Sequence, residues 1–281
     1  MEFLAYFNNT RIAHWWYWLG VCAIASYAFN PEVMLGSVLL VLLGFSFLFA
    51  SAYSLNNTYD HKSDIDHPSK TNPVAQGKIS FKEGLKESIF LSALGLLFLG
   101  LVSLEGLIGG VLLSVLSIVY HIPPLRTKSR PYLDIITITL LYSTPFFIGY
   151  AAVNSIDLKG IGFALLIGLL SGSTHPFQTA KDIEEDRKNG DITISVLIGV
   201  KKSILLSLAL LLLTMVYFEF LIFAKMLDPK VFFVPLLFIP SLLYYYTAIN
   251  NPSNKKIDNT WNVLRFNGVL GAILPLYLLL A

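Results

Sequence analysis

The sequence predicts an all-α integral membrane protein with about nine spanning helices. Of its 281 residues, 55% are hydrophobic and only 14% are charged. A soluble domain of this length carries about 25% charged residues. Apolar runs of about 18 residues or more recur along the chain, long enough to cross the hydrocarbon core of a bilayer. Basic residues then fall on alternate loops. Segments 1–11, 56–86, 123–131, 181–202 and 250–258 hold 16 Lys and Arg, and the intervening loops hold Lys159, Lys225 and Lys230. The positive-inside rule makes the first set cytoplasmic, the N-terminus included.

The expected spans follow in order. The first, 12–28, opens on "HWWYW", an aromatic belt suited to the membrane interface. The second, 34–55, is almost wholly apolar. The third and fourth, 84–104 and 106–122, are nearly continuous and admit reading as one hairpin. The fifth, 132–153, follows a proline-rich loop, and the sixth is 160–180. The seventh is 202–224. The eighth, 231–249, contains Pro235 and Pro240, and the ninth, 259–280, contains Pro275. Such prolines are tolerated where neighbouring helices satisfy the freed carbonyls. Arg265, inside the ninth span, needs a partner or a route to the interface, and Asp258 and Asn262 lie one turn away. The lone cysteine, Cys22, excludes an internal disulfide and suits core packing. The start of the chain has no signal-peptide pattern. Residues 1–281 read as one domain. The net charge of +2 says little; no nucleic-acid partner is expected, and oligomeric state is not legible.

Polar residues at the cytoplasmic ends of these runs carry the chemistry. Asn56, Asp60 and Asp64 are spaced i, i+4, i+8, one stripe on a continuous helix. Asp182 and Asp186 repeat the i, i+4 spacing after another long apolar run. Carboxylates at helix C-terminal ends oppose the macrodipole, so a cation among them is the expected compensation. Oxygen ligands of this kind suit Mg²⁺, which completes its octahedron with water and phosphate oxygens. Between the two sets lies "YHIPPLRTKSRPYLD". Pro123 and Pro124 stop the helix and are expected to hold an extended segment that aims Arg126, Lys128 and Arg130. Metal-ligating carboxylates beside Arg and Lys are what a diphosphate requires. Each set also reads more plainly as a solvated helix end, but two such sets on one membrane face, with a basic loop between, favour a site.

Asn56-x-x-x-Asp60-x-x-x-Asp64, then Tyr120-x-x-Pro123-Pro124-x-Arg126-x-Lys128, then Asp182-x-x-x-Asp186 before Gly190, resemble the signatures of the UbiA superfamily of intramembrane prenyltransferases. "NPVAQGKIS" and "ITISVLIG" resemble segments that follow its two Asp motifs. The resemblance implies helices around a central cavity, a cap of cytoplasmic loops, and Mg²⁺-dependent transfer of an isoprenoid chain from a prenyl diphosphate to a lipophilic acceptor. Asn56, Asp60, Asp64, Asp182 and Asp186 would hold Mg²⁺ at the cytoplasmic side of the cell membrane, the two sets facing each other. Arg126, Lys128, Lys181, Arg187, Lys70 and Arg11 would meet the diphosphate. Tyr120, with Tyr53, Tyr59 and Tyr142 as further candidates, would face the developing cation. His61, His175 and Asp134 have no fixed role; Asp134 reads naturally as a helix N-cap. Two features depart from the family's pattern: Asn57-Thr58-Tyr59 stands where many members carry an Asp, and "HPSKTNP" where many carry Arg-Pro. The acceptor stays open among aromatic acids or quinone precursors, isoprenoid glyceryl phosphates, porphyrin-type rings and carotenoids. A transporter with a carboxylate cation site is the competing class. Transport sites usually lie near the midplane on broken helices, whereas these carboxylates are at helix ends.

Overall fold

The computed structural model describes residues 2–65, 71–264 and 266–267, and among these the fold is all helical. An unforeseen short helix, α1 (Glu2–Asn9), precedes a 3-10 turn at Ile12–His14 and α2 (Trp18–Ala28). The expected first span is therefore divided, and α2, at 11 residues, is roughly 17 Å long. Among the described residues, seven helical segments are long and apolar enough to cross a membrane. They are α3 (Leu35–Asp60), α4 (Phe81–Val102), α5 (Leu104–His121), α6 (Leu133–Ala151), α7 (Leu158–Thr179), α10 (Val200–Phe223), and Pro229–Asn250, whose last part is α11 (Ile239–Asn250). Two short helices, α8 (Ile183–Asn189) and α9 (Ile194–Ile198), sit between α7 and α10. Residues 254–264 are helical, and the rest of the ninth expected span lies almost wholly outside the described residues.

The 231–249 segment is not one regular α-helix. It runs as 3-10 turns at Pro229–Val231 and Val234–Phe238 before α11 begins. Pro235 and Pro240 have no N–H to donate to the preceding turns, so the regular α-helix is delayed to α11, where Pro240 occupies the first turn, a position that needs no donor. Pro145 and Pro176 lie inside α6 and α7 and are accommodated without a break in helix.

The chain divides into two compact units. One comprises residues 1–127 and 144–164; the other comprises 128–143 and 165–281. In the first, α3 and α4 approach closely because Gly44 and Gly95 face each other. A Cβ on Gly44 would stand 3.0 Å from the Gly95 carbonyl oxygen, and one on Gly95 would stand 2.8 Å from that of Gly44. Small residues of this kind let membrane helices pack backbone to backbone. Cys22 is fully buried, as a core residue should be. The start of α4 is fixed by a reciprocal capping box between Ser80 and Glu83. In the second unit, Phe177, Ile204, Leu211, Phe238 and Tyr245 form the apolar core. Within it the buried Ser207 and Tyr245 hydroxyls share a hydrogen bond of 2.6 Å.

Candidate active site

In the first unit the polar end of α3 is built from long-range contacts. The helix ends at Asp60, so the expected i, i+4, i+8 stripe is cut short. Asp64 lies in the turn beyond, its N–H still donating to the Asp60 carbonyl at 2.9 Å. Asp64 is buried, at 5% exposure, and its Oδ2 accepts from Asn72 Nδ2 at 3.0 Å. Asn72 also donates to the Asn57 carbonyl, tying the returning loop to α3.

Asp60 stands at the negative end of the α3 dipole, and two donors offset that cost. Arg126 Nη2 is 3.4 Å from its Oδ1. Asn56 Nδ2 donates to its Oδ2 at 2.8 Å. Asn56 also lies 3.1 Å from His121 Nδ1, and its Oδ1 accepts from Arg11 Nη1 at 3.4 Å. The Arg11 guanidinium is 5.8 Å from the centre of the Tyr53 ring. Arg11 and Arg126 both adopt positive φ, 49° and 31°. The loop after Pro123-Pro124 is not extended as expected. Arg126 N–H closes a turn on the Ile122 carbonyl at 2.8 Å, and a 3-10 turn follows at Thr127–Ser129, carrying Lys128. Tyr120 packs edge-on against His121, the residue that reaches Asn56. His61 caps the helix end, with Nδ1 2.8 Å from the Thr58 carbonyl.

In the second unit Asp182 and Asp186 are not at a helix C-terminus. Asp182 is the N-cap residue of α8, and Asp186 lies in its first turn. The backbone breaks after Thr179 and restarts, so the macrodipole favours these carboxylates. Gly190, at φ 75°, supplies the left-handed residue that ends α8. Asp186 Oδ2 accepts from Thr193 Oγ1 at 2.9 Å. Partial burial first, then the negative charges of Asp182, Asp191 and Glu185, push the Asp186 carboxyl up to about 6, against the Thr193 bond, which pulls it down. Asp191 accepts from Ser129 Oγ.

Asp134 is not an N-cap. It lies in the first turn of α6, fully buried. Its Oδ2 accepts from the Ile194 N–H at 3.4 Å and lies 3.6 Å from His175 Nε2.

The basic candidates separate into groups. Arg11 and Arg126 reach the first motif. Lys181 instead pairs with Asp258. Arg187 stands 3.4 Å from Glu184 on the exposed side of α8. Lys70 and Arg265 lie outside the described residues. Asn9, Asn72, Glu87, His121 and Thr193 were not anticipated. Their partners are distant in sequence or sit in a loop, and only the adjacency of Asn57 to Asn56 and of His121 to Tyr120 hinted at them.

Among the described residues, no group of three or more His, Cys, Asp or Glu is arranged to hold a metal ion by itself. The donor chemistry nevertheless fits Mg²⁺. The ligands on offer are oxygens, and Mg²⁺ takes few carboxylates, leaving positions for water and substrate phosphate. The crowding of negative charge on Asp186 is what a cation would relieve.

Comparison with known proteins gives a consistent result. The chain is 23% identical to the digeranylgeranylglyceryl phosphate synthase of Methanosphaera stadtmanae, over 87% of this chain and 85% of that one. It is 25% identical to the lycopene elongase/hydratase of Corynebacterium glutamicum, over 98% and 90%. A UbiA homolog from Archaeoglobus fulgidus, solved bound to GPP and Mg²⁺, shares the fold with a TM-score of 0.75 at 21% identity, over 96% of this chain and 98% of that one. The model described as the UbiA prenyltransferase family matches residues 15–269. The chain thus belongs to the UbiA prenyltransferase family and is an integral membrane prenyltransferase.

Proposed function

We propose that this enzyme moves an isoprenoid chain from a prenyl diphosphate to a lipophilic acceptor in the membrane, with Mg²⁺ held by Asn56, Asp60, Asp64, Asp182 and Asp186. One observation carries the reading. Arg11 and Arg126 converge on Asn56 and Asp60, so cations and metal-ligand oxygens share one helix end. Without a substrate these groups neutralise each other. With a diphosphate present, the guanidiniums turn to its oxygens and release Asn56 and Asp60. Bound Mg²⁺ supplies charge neutralisation to the leaving group.

The chain's own residues do the rest. Arg11 and Arg126, with Lys128, hold the diphosphate as its C–O bond breaks and the electron pair leaves with it. The allylic cation left on the prenyl chain faces aromatic rings, Tyr120 and Tyr53 among them. Acceptor electrons form the new bond, and the acceptor then loses a proton. Site and N-terminus lie on the cytoplasmic side of the cell membrane, the side favoured by the asymmetry of Lys and Arg. Membership of a prenyl-transferring family favours this reading over the transporter.

For the acceptor we infer an apolar polyene of the carotenoid type rather than an isoprenoid glyceryl phosphate. Two of the cations near the second motif, Lys181 and Arg187, are engaged by Asp258 and Glu184. A lycopene elongase/hydratase is also matched over 98% of this chain. The direct test of the donor site is binding of geranylgeranyl diphosphate to purified protein, with Mg²⁺ and then with chelator. Binding lost in chelator and in Asp60→Asn supports the reading; binding indifferent to both overturns it.

A further inference from the structure

Beneath the first motif lies a buried polar chain that the chemistry above does not use. Glu87, in the second turn of α4, accepts at Oε2 from Asn9 Nδ2 at 2.7 Å and from Ser54 Oγ at 2.9 Å. Asn9 is fully buried, and its Nδ2 lies 2.8 Å from Ser54 Oγ as well. Both its Oδ1 and its backbone carbonyl accept from Asn57 Nδ2 at 3.1 Å. Asn57, 1% exposed, then presents Oδ1 to Arg11 Nη1 at 3.4 Å, the same nitrogen that reaches Asn56.

The order of donors and acceptors along this chain is fixed at one end. An ionised carboxylate only accepts, so Glu87 compels Asn9 to present its NH₂. That leaves the Asn9 oxygen for the Asn57 NH₂, and the Asn57 oxygen for Arg11. Without the carboxylate the Asn9 amide is free to turn over, and Asn57 then keeps only its bond to the Asn9 backbone carbonyl to hold its own oxygen toward Arg11. Arg11 itself sits in the left-handed region, two residues beyond the end of α1. Its turn is held from the other side by Trp15 Nε1, which donates to the Thr10 carbonyl at 2.7 Å. A charged residue within an apolar spanning helix is costly and marks function.

We propose that Glu87 is a positioning residue for the diphosphate site: acting through Asn9 and Asn57, it holds Arg11 where the diphosphate binds. This rests on the reading of Arg11 as a diphosphate ligand. The test is the dissociation constant for geranylgeranyl diphosphate in Mg²⁺, measured for wild type, Glu87→Ala, Glu87→Gln, Arg11→Ala and the double variant Arg11→Ala/Glu87→Ala.

Glu87→Ala is expected to weaken binding about tenfold, the worth of a hydrogen bond to a charged group. Glu87→Gln keeps an acceptor oxygen and stays within about threefold of wild type. In the Arg11→Ala background, Glu87→Ala has no further effect, because the residue it serves is gone. Equal losses in both backgrounds, or unchanged binding in Glu87→Ala, overturn the proposal and leave Glu87 a packing residue. Should Glu87→Ala fail to fold, Asn9→Ala with the same Arg11 cycle decides the matter by the same criteria. A wild-type protein that binds no geranylgeranyl diphosphate in Mg²⁺ removes the donor-site reading and this proposal together.

Discussion

Arg126 Nη2 stands 3.4 Å from Asp60 Oδ1, so the basic loop after α5 meets the acidic end of α3 directly. The pair is largely buried, with side-chain exposures of 22% and 13%. It has two consequences. Asp60→Asn keeps the shape and the bond from Asn56 but loses the charge that holds a cation. Turnover is expected to fall by roughly 100-fold or more, with the thermal midpoint little changed. Arg126→Lys keeps the charge but loses the planar fork, and should recover only part of what Arg126→Ala loses. Steady-state rates for the three variants, beside thermal melts, check this.

Asp186 gives a pH dependence. Its carboxyl is raised from 3.8 to about 6 in the folded protein. The sign follows from linkage: a raised acid contributes full stability below its unfolded value, and that contribution is lost as pH rises through about 6. The metal-free protein should therefore have a lower thermal midpoint at pH 7.5 than at pH 5.5 on account of this residue, and Asp186→Asn should flatten the difference. Mg²⁺ competes with the proton, so its apparent affinity should fall below about pH 6. A Mg²⁺ titration at pH 5.5 and 7.5, in wild type and variant, reads both effects.

The Gly44–Gly95 contact sets a packing prediction. Gly95→Val places a branched side chain where even a Cβ would meet the Gly44 carbonyl oxygen at 2.8 Å. Overpacking of this kind costs about 1–3 kcal/mol, so the variant should melt earlier or fail to be recovered from detergent. Gly20→Ala, on α2, meets nothing within 4 Å and should behave as wild type.

The acceptor proposal is tested by offering lycopene and an isoprenoid glyceryl phosphate in parallel with one donor. Product from the polyene alone is expected. Turnover of the glyceryl phosphate alone would show that a cation outside the Lys181 and Arg187 pairs receives its phosphate.

Much of this architecture is written locally. The spans rest on runs of Leu, Ile, Val and Phe, and the Asp motifs on fixed spacing, so both are visible in the chain itself. What the spacing misleads on is continuity. The i, i+4, i+8 pattern extends α3 to Asp64, but the helix ends at Asp60 and Asp64 is held by Asn72 from a later loop. The same spacing puts Asp182 and Asp186 at the end of a long helix, whereas the chain breaks after Thr179 and starts α8. That reverses the sign of the dipole at these carboxylates. The network from Glu87 to Arg11 is invisible to any local pattern, because Asn9 and Glu87 are 78 positions apart.

Asp134 shows how such a distant contact bears on the second Asp motif. It is fully buried at the start of α6 and accepts from the Ile194 N–H. Ile194 directly follows Thr193, whose hydroxyl donates to Asp186. Asp134 thus fixes the strand of backbone that delivers Thr193. Removing it leaves the Ile194 N–H buried without its partner and the His175 ring without a facing charge, at a cost of about 1–3 kcal/mol. Asp134→Ala should lower the thermal midpoint and, by releasing Thr193, raise the Asp186 carboxyl further. Mg²⁺ affinity at pH 6 should then fall more than at pH 8. Thr193→Ala, which removes the same bond without disturbing Asp134, should reproduce the loss at pH 6 with a smaller change in stability. If Asp134→Ala melts earlier while its Mg²⁺ titrations match wild type at both pH values, Asp134 supports the fold alone and the link through Thr193 is wrong.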